Sequence, residues 1–157
     1  MSWTTTADLR LQLQKLWDRG ILLNDLVTGE SSFPIRLNLR TPTTKQIGER
    51  FDDVRRWITE LRSLSHIRLE MREIRHPTLG RNQLPSQVWI DSAADAFAFI
   101  RKTKEAERLT EIVSFTKENE PSLIPFLSKR PLRALELAND WIKLLAVVGW
   151  LKKNPRP

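Results

Sequence analysis

Apolar residues on every second position commit part of this chain to a sheet, and residues 67–91, IRLEMREIRHPTLGRNQLPSQVWID, hold the most informative such stretch. Ile67, Leu69 and Met71 alternate with Arg68, Glu70 and Arg72, the two-residue period of a half-buried strand with one charged side. Proline has no N–H to donate and biases the residue before it towards extended geometry, so His76-Pro77 is expected to stop the ladder. Leu79-Gly80-Arg81-Asn82 then supplies turn chemistry, and a second strand is expected at Gln87-Val88-Trp89-Ile90. The pattern reads as strand, ten-residue connection, strand. Asp91-Ser92 offers helix N-caps before AADAFAFIRK, so the second strand should feed a helix. Arg75, His76, Arg81 and Asn82 fall on the connection, a surface loop held by rigid elements, where binding residues concentrate.

The other alternating stretch is Phe33, Ile35, Leu37 and Leu39, with Arg36, Asn38 and Arg40 between them and Pro34 suited to a strand start. Between the two lies the best helical stripe of the sequence. Ile47, Phe51, Val54, Ile58 and Leu61 are spaced for one face, so residues 44–61 are expected to form one continuous helix packed on the sheet. The fold class that follows is α+β: a small, mostly antiparallel sheet of about three strands covered by helices, then an all-helical C-terminal part. Ile35, Leu37, Leu39, Ile67, Leu69 and Met71 would make the covered face, and Arg36, Arg40, Arg68 and Arg72 the opposite one. In segments, the chain reads as N-terminal helices over 1–30, an α+β unit over 31–102 and helices over 103–157, together one compact region. Helix one should carry Leu9, Leu13, Leu16 and Trp17 and stop at Gly20. Beyond 103, Pro121, Pro125 and Pro131 divide the helices, Leu132, Leu135 and Leu137 make one piece, and the last stripe of Trp141, Leu144, Leu145, Val148 and Leu151 closes at Lys152-Lys153 and Pro155.

A chain of 157 residues with 40% hydrophobic and 29% charged content has the composition of a soluble globular domain. With no cysteine there are no disulfides or thiolate metal sites, and two isolated histidines do not make a metal centre. No apolar run approaches the ~20 residues of a membrane span, and the opening MSWTTTADLR lacks a signal-peptide pattern, which places the chain in the cytoplasm. The net charge of +7 favours a polyanionic partner. The positive charge is uneven: residues 50–81 carry 8 Lys and Arg against 5 Asp and Glu, and residues 129–157 carry 7 against 2, while residues 82–128 carry 5 against 7.

Catalytic signatures are missing. The sequence has no P-loop, no GxGxxG, no nucleophile elbow, no paired-histidine zinc motif and no tyrosine. Asp52-Asp53, Glu70 and Glu73 read as solvated, salt-bridging carboxylates. Arg68 and Arg72 around Glu70 read equally well as cross-strand ion pairs or as anion contacts. Guanidinium forks and backbone N–H groups on the connection suit phosphate. The DNA-binding candidates are therefore Arg36, Arg40, Arg68, Arg72, Arg75, His76, Arg81 and Asn82, with no catalytic or metal-binding residue and no cofactor.

Four segments in the same order, SWTTTADLRLQLQKLWDRG, FPIRLNLRTPTTKQIGERFDDVRRWI, HPTLGRNQLPSQVWID and RPLRALELANDWIKLLAVVGWLKKNPRP, resemble the amino-terminal region of JetD proteins, the nuclease subunits of bacterial Wadjet anti-plasmid defence systems. The resemblance covers essentially the whole chain. It implies a non-catalytic arm that precedes a part similar to the A subunit of topoisomerase VI, with a CAP-like winged helix and a Toprim domain that uses Mg²⁺ or Mn²⁺. It further implies double-stranded DNA and a condensin-like SMC complex as partners, a possible homodimer and no membrane. The sequence ends at Pro157, before any Toprim carboxylate cluster, so the chain is expected to be part of a longer nuclease and no cutting residue carries over. A second function stays open on the residues alone: a protein-docking module that joins the nuclease to its SMC complex or to a second copy, favoured by the proline-divided, tryptophan-containing helices beyond 103.

Overall fold

The structure is a computed structural model, and it describes residues 3–29, 31–136 and 138–153, without the side chains of Gly149 and Lys152. Leu137 and Pro155, expected on a helical piece and after the last helix, lie outside the described residues. The chain divides into two compact units, one of Met1–Gln14 with Phe33–Ile100 and one of Lys15–Ser32 with Arg101–Pro157. The second segment of the first unit lies within residues 31–102, and residues 1–30 are divided between the two units.

The first unit begins with α1, Thr6–Asp18, which continues into the second unit. Its start is capped reciprocally: Asp8 N–H donates to the Thr5 hydroxyl at 3.2 Å, and Thr5 N–H donates to the Asp8 carboxylate at 2.9 Å. The Thr5 backbone N–H and then its hydroxyl hold the Asp8 carboxyl below its ordinary pKa. This cap therefore contributes fully above the ordinary aspartate value and fades as pH falls through the lowered one.

Next come β1, Ile35–Leu37, α3, Thr44–Glu49, and α4, Phe51–Ser63. The single helix expected over 44–61 is therefore two. Thr43 and Gln46 form a full capping box at the start of α3, and the break falls at Arg50, φ −125° and ψ 42°, two residues after Gly48. The apolar stripe survives the break, since Ile47, Val54, Trp57 and Leu61 are all buried.

The sheet is completed by β2, Arg68–His76, and β3, Gly80–Ile90, and α5, Ala93–Phe99, follows with Ser92 as its N-cap. Strand order is β1-β3-β2, antiparallel throughout. The ten-residue connection does not form. Only residues 77–79 join β2 to β3, so Arg81 and Asn82 lie in a strand and not on a loop. Two devices allow this. Gly80 takes the left-handed φ of +74° that closes a short hairpin loop, and a register shift at Glu70/Met71, where Gln87 and then Pro85 are the partners, leaves Ser86 as an extra residue on β3. A proline beside such a bulge is tolerated in a strand that would otherwise exclude it.

Leu69, Val88 and Leu37 share one cross-strand row and Ile35 pairs Ile90, with Leu37, Val88 and Ile90 buried. The opposite row is Arg36, Trp89 and Arg68. Along β2 the covered side changes: Leu69 and Met71 are half-buried, Arg72 and Glu73 are both exposed, and then Ile74 and His76 on the other parity are covered. The expected apolar face of the sheet therefore holds only at the end that pairs with β1.

The second unit is all-helical. α2, Ile21–Thr28, contributes Leu22, Leu23 and Val27 to its core and stops at Gly29, whose φ of +76° and N–H to Asp25 C=O close the helix. α6, Thr103–Asn119, packs against α2, α7 (Ile124–Lys129), α8 (Pro131–Glu136) and α9 (Ala138–Lys153). Leu109 and Ile112 on α6, Leu127 on α7 and Leu145 on α9 are fully buried, each such side chain worth about 1.5–3 kcal/mol. The dividing prolines sit in first turns, where the missing N–H has no partner to lose: Pro121 opens a short 3-10 turn, Pro125 is in the first turn of α7 and Pro131 begins α8. Thr116, buried, donates to Ile112 C=O at 2.7 Å and accepts from the Trp141 indole at 3.1 Å. Among the described residues no helix is long and apolar enough to cross a membrane.

Candidate nucleic-acid interface

All eight candidates lie in the first unit, but the fold sorts them into different tasks. His76 is buried and fully used. Its Nδ1 accepts from the N–H groups of Thr78 and Leu79, both at 3.1 Å, so the proton sits on Nε2, which donates to Thr44 C=O at 3.1 Å. This ring closes the hairpin turn and fastens it to α3. Gly48 makes the approach possible, since a Cβ there would lie 3.2 Å from His76 Nε2. His76, expected as a DNA contact, thus has a structural role in the turn with both ring nitrogens engaged. His76→Ala strips the partner from two N–H groups and one carbonyl, and should cost about 2 kcal/mol even with water reaching the turn. Urea unfolding of the variant checks this, and a midpoint equal to wild type would contradict it.

Asn82, in β3, likewise braces the turn, its Nδ2 donating to Leu79 C=O at 3.2 Å and to Gly80 C=O at 3.4 Å. Arg68 is held by carboxylates: Nε lies 3.0 Å from Asp91 and Nη1 lies 3.0 Å from Glu70, with the guanidinium 5.3 Å from the Trp89 ring centroid. The hydrogen bond it donates to Asp91, assisted by Glu70, raises its pKa further. Between the two readings of Arg68, the cross-strand ion pair is the one the geometry contains.

The remaining five arginines are exposed. Arg36 and Arg40 border an open cleft of about 840 Å³ beside β1, with Gln12, Asn38 and Gln87 among its other walls. Gln12 closes the backbone there as a strand would, donating to Asn38 C=O at 2.8 Å and accepting from Asn38 N–H at 2.7 Å. Thr4 does the same for Arg40, whose N–H donates to the Thr4 hydroxyl at 2.7 Å. Periodicity alone does not reveal Gln12 and Gln87, because both sit on elements whose apolar pattern dominates. Arg72 follows Arg68 and Glu70 on the same side of β2. Arg75 and Arg81 are direct cross-strand partners at the hairpin tip, and the contact of Arg81 with Glu73 is long, 3.8 Å. Arg36, Arg72 and Arg75 make no ion pair among the described residues, whereas Arg50, Arg56, Arg68, Arg108 and Arg133 each do.

Residues 6–157 match the family described as "Uncharacterized protein conserved in bacteria N-term (DUF3322)". The chain belongs to this family. A DUF3322 region is by that description an amino-terminal part of a bacterial protein, in keeping with the coarser half of the resemblance noted above. No curated protein matches the chain. In this DUF3322 chain the described residues contain no cluster of three or more His, Asp or Glu placed to hold a metal ion.

Proposed function

We propose that this chain is the non-catalytic amino-terminal arm of a JetD-type Wadjet DNA endonuclease, and that it helps position double-stranded DNA for cutting by a Toprim domain outside these residues. In that setting the chain is cytoplasmic, the condensin-like SMC complex is its second partner, and Mg²⁺ or Mn²⁺ serves only the full-length nuclease. The resemblance of four ordered segments supports the nuclease assignment. What supports DNA contact is that Arg36, Arg72 and Arg75 on the sheet are exposed and make no ion pair among the described residues, whereas Arg68 on the same sheet is bridged to Asp91 and Glu70. Guanidinium groups left to solvent are the ones available to phosphate oxygens.

The test is a titration of short duplexes of unrelated sequence against the chain at low salt. All duplexes should bind alike, Arg36→Gln with Arg72→Gln and Arg75→Gln should weaken binding at least tenfold, and supercoiled plasmid with Mg²⁺ or Mn²⁺ should stay intact. Equal binding by the triple variant, or plasmid cutting by the chain, would overturn the reading.

One observation favours the docking module as a second reading. Leu144, Val147 and Leu151, spaced three and four apart on α9, are 52%, 55% and 47% exposed, an apolar stripe opposite buried Leu145. Sedimentation of the chain beside Leu144→Glu with Val147→Glu decides whether that stripe joins two copies: a concentration-dependent dimer lost in the variant supports it, and a monomer in both removes the homodimer.

A further inference from the structure

The hairpin tip contains an arrangement that strand pairing by itself disfavours. Arg75 and Arg81 occupy directly opposite positions on β2 and β3, and like charges in that register repel. Opposite residues of an antiparallel pair have Cα atoms about 4.5–5.5 Å apart, so both guanidinium groups leave the ribbon on one side within reach of a single small anion. That side is open. The parity of Arg75 and Arg81 also holds Glu73 and Gln83, all four exposed, while the other side of the tip is covered at Ile74, His76 and Leu84. The register is also fixed, because His76 follows Arg75 and locks the turn through Thr78, Leu79 and Thr44, and Gly80 with its left-handed backbone precedes Arg81. On that side of the tip two arginines stand with one carboxylate, Glu73, whose 3.8 Å contact with Arg81 leaves both groups largely in water.

We infer that Arg75 and Arg81 form a two-pronged oxyanion seat that takes one phosphate group between them. The inference deepens the DNA reading above by naming the group recognised and the pair that holds it, but it stands on strand register and not on the family resemblance. Two guanidinium forks present several N–H donors to one tetrahedral anion, and a phosphate there relieves the repulsion the register creates. The chemistry is shared by a phosphodiester of nucleic acid and by free phosphate.

The seat is tested on ¹⁵N-labelled protein by following arginine Nε–H signals during addition of inorganic phosphate, against chloride at equal ionic strength. Arg75 and Arg81 should shift together and saturate with one common midpoint. Arg75→Gln should weaken the midpoint seen at Arg81 at least fivefold, and Arg56→Gln, which removes a guanidinium already bridged to Asp53, should leave it unchanged. In chloride, Arg75→Gln should melt no lower than wild type, because it removes a repulsion. Linear shifts no larger than those of Arg56, a midpoint at Arg81 indifferent to Arg75, or a lower melting temperature of Arg75→Gln would each overturn the seat. A short duplex added in place of phosphate separates the sources: displacement of the duplex by phosphate from wild type marks the diester as an occupant. A saturable phosphate site on a chain that ignores duplex sinks the DNA reading alone, and duplex binding indifferent to both arginines sinks the seat alone.

Discussion

Raising salt from 50 to 200 mM should weaken duplex binding by this chain about 40-fold. The magnitude follows from counterion release, where affinity falls with salt at a slope of about 0.9 per phosphate neutralised. Arg36, Arg72 and the shared seat of Arg75 and Arg81, the sheet arginines outside the Arg68 cluster, neutralise three phosphates, which gives a slope of about 2.7, and a fourfold salt step then costs about 40-fold. Arg75→Gln with Arg81→Gln removes one of those three contacts, so the same step should cost only about 10-fold. Arg68→Gln is the control. Its guanidinium is already engaged by Asp91 and Glu70, so the slope should stay as it is although the fold loses a cross-strand tie. A salt-insensitive complex, or a slope that responds to Arg68 and not to Arg75 and Arg81, would contradict this assignment of contacts.

That division among arginines was the part least legible in the sequence. Period-two alternation marks β1 and the first half of β2 because one face of each is covered, and the α+β class follows from the helical stripes between them. The partner of Arg68 is Asp91, 23 residues later, and no local pattern pairs them. The hairpin was misread for a related reason. Pro77, Gly80 and Pro85 each signal a break, and together they suggest a long loop. In the fold His76 supplies the acceptor that a three-residue turn lacks, and the extra residue Ser86 lets Pro85 sit in β3, so two compensations that no periodicity marks turn a run of breakers into a ribbon. The consequence is functional as well as structural. A ten-residue loop would scatter Arg75 and Arg81, whereas the ribbon sets them opposite each other. The helix break at Arg50 was hidden in the same way, because the apolar stripe continues through it and periodicity reports the stripe and not the hydrogen bonds.

Trp57→Ala should be among the most damaging single changes in the first unit, at about 3–5 kcal/mol, the cost of emptying a large aromatic site in a packed core. The indole is 5% exposed, its ring centroid is 6.4 Å from that of buried Trp3, and its N–H donates to Thr4 C=O at 2.6 Å. The melting temperature should fall by roughly 10 °C or more for a chain of this size. Trp57→Phe separates the two contributions: it keeps an aromatic ring on α4 but leaves Thr4 C=O without its donor, so the loss should be about 1–3 kcal/mol. The second variant also has a local consequence. Thr4 holds the backbone of Arg40 through its own N–H and hydroxyl, so freeing its carbonyl should loosen the segment 38–40 beside the cleft. Hydrogen exchange at Arg40 N–H should then quicken in Trp57→Phe while Arg75 N–H, on the His76-locked hairpin, is unaffected. Equal destabilisation by the two variants would place the whole effect in the hydrogen bond, and equal exchange at both amides would mean that Trp57 acts on the unit as a block and not through Thr4.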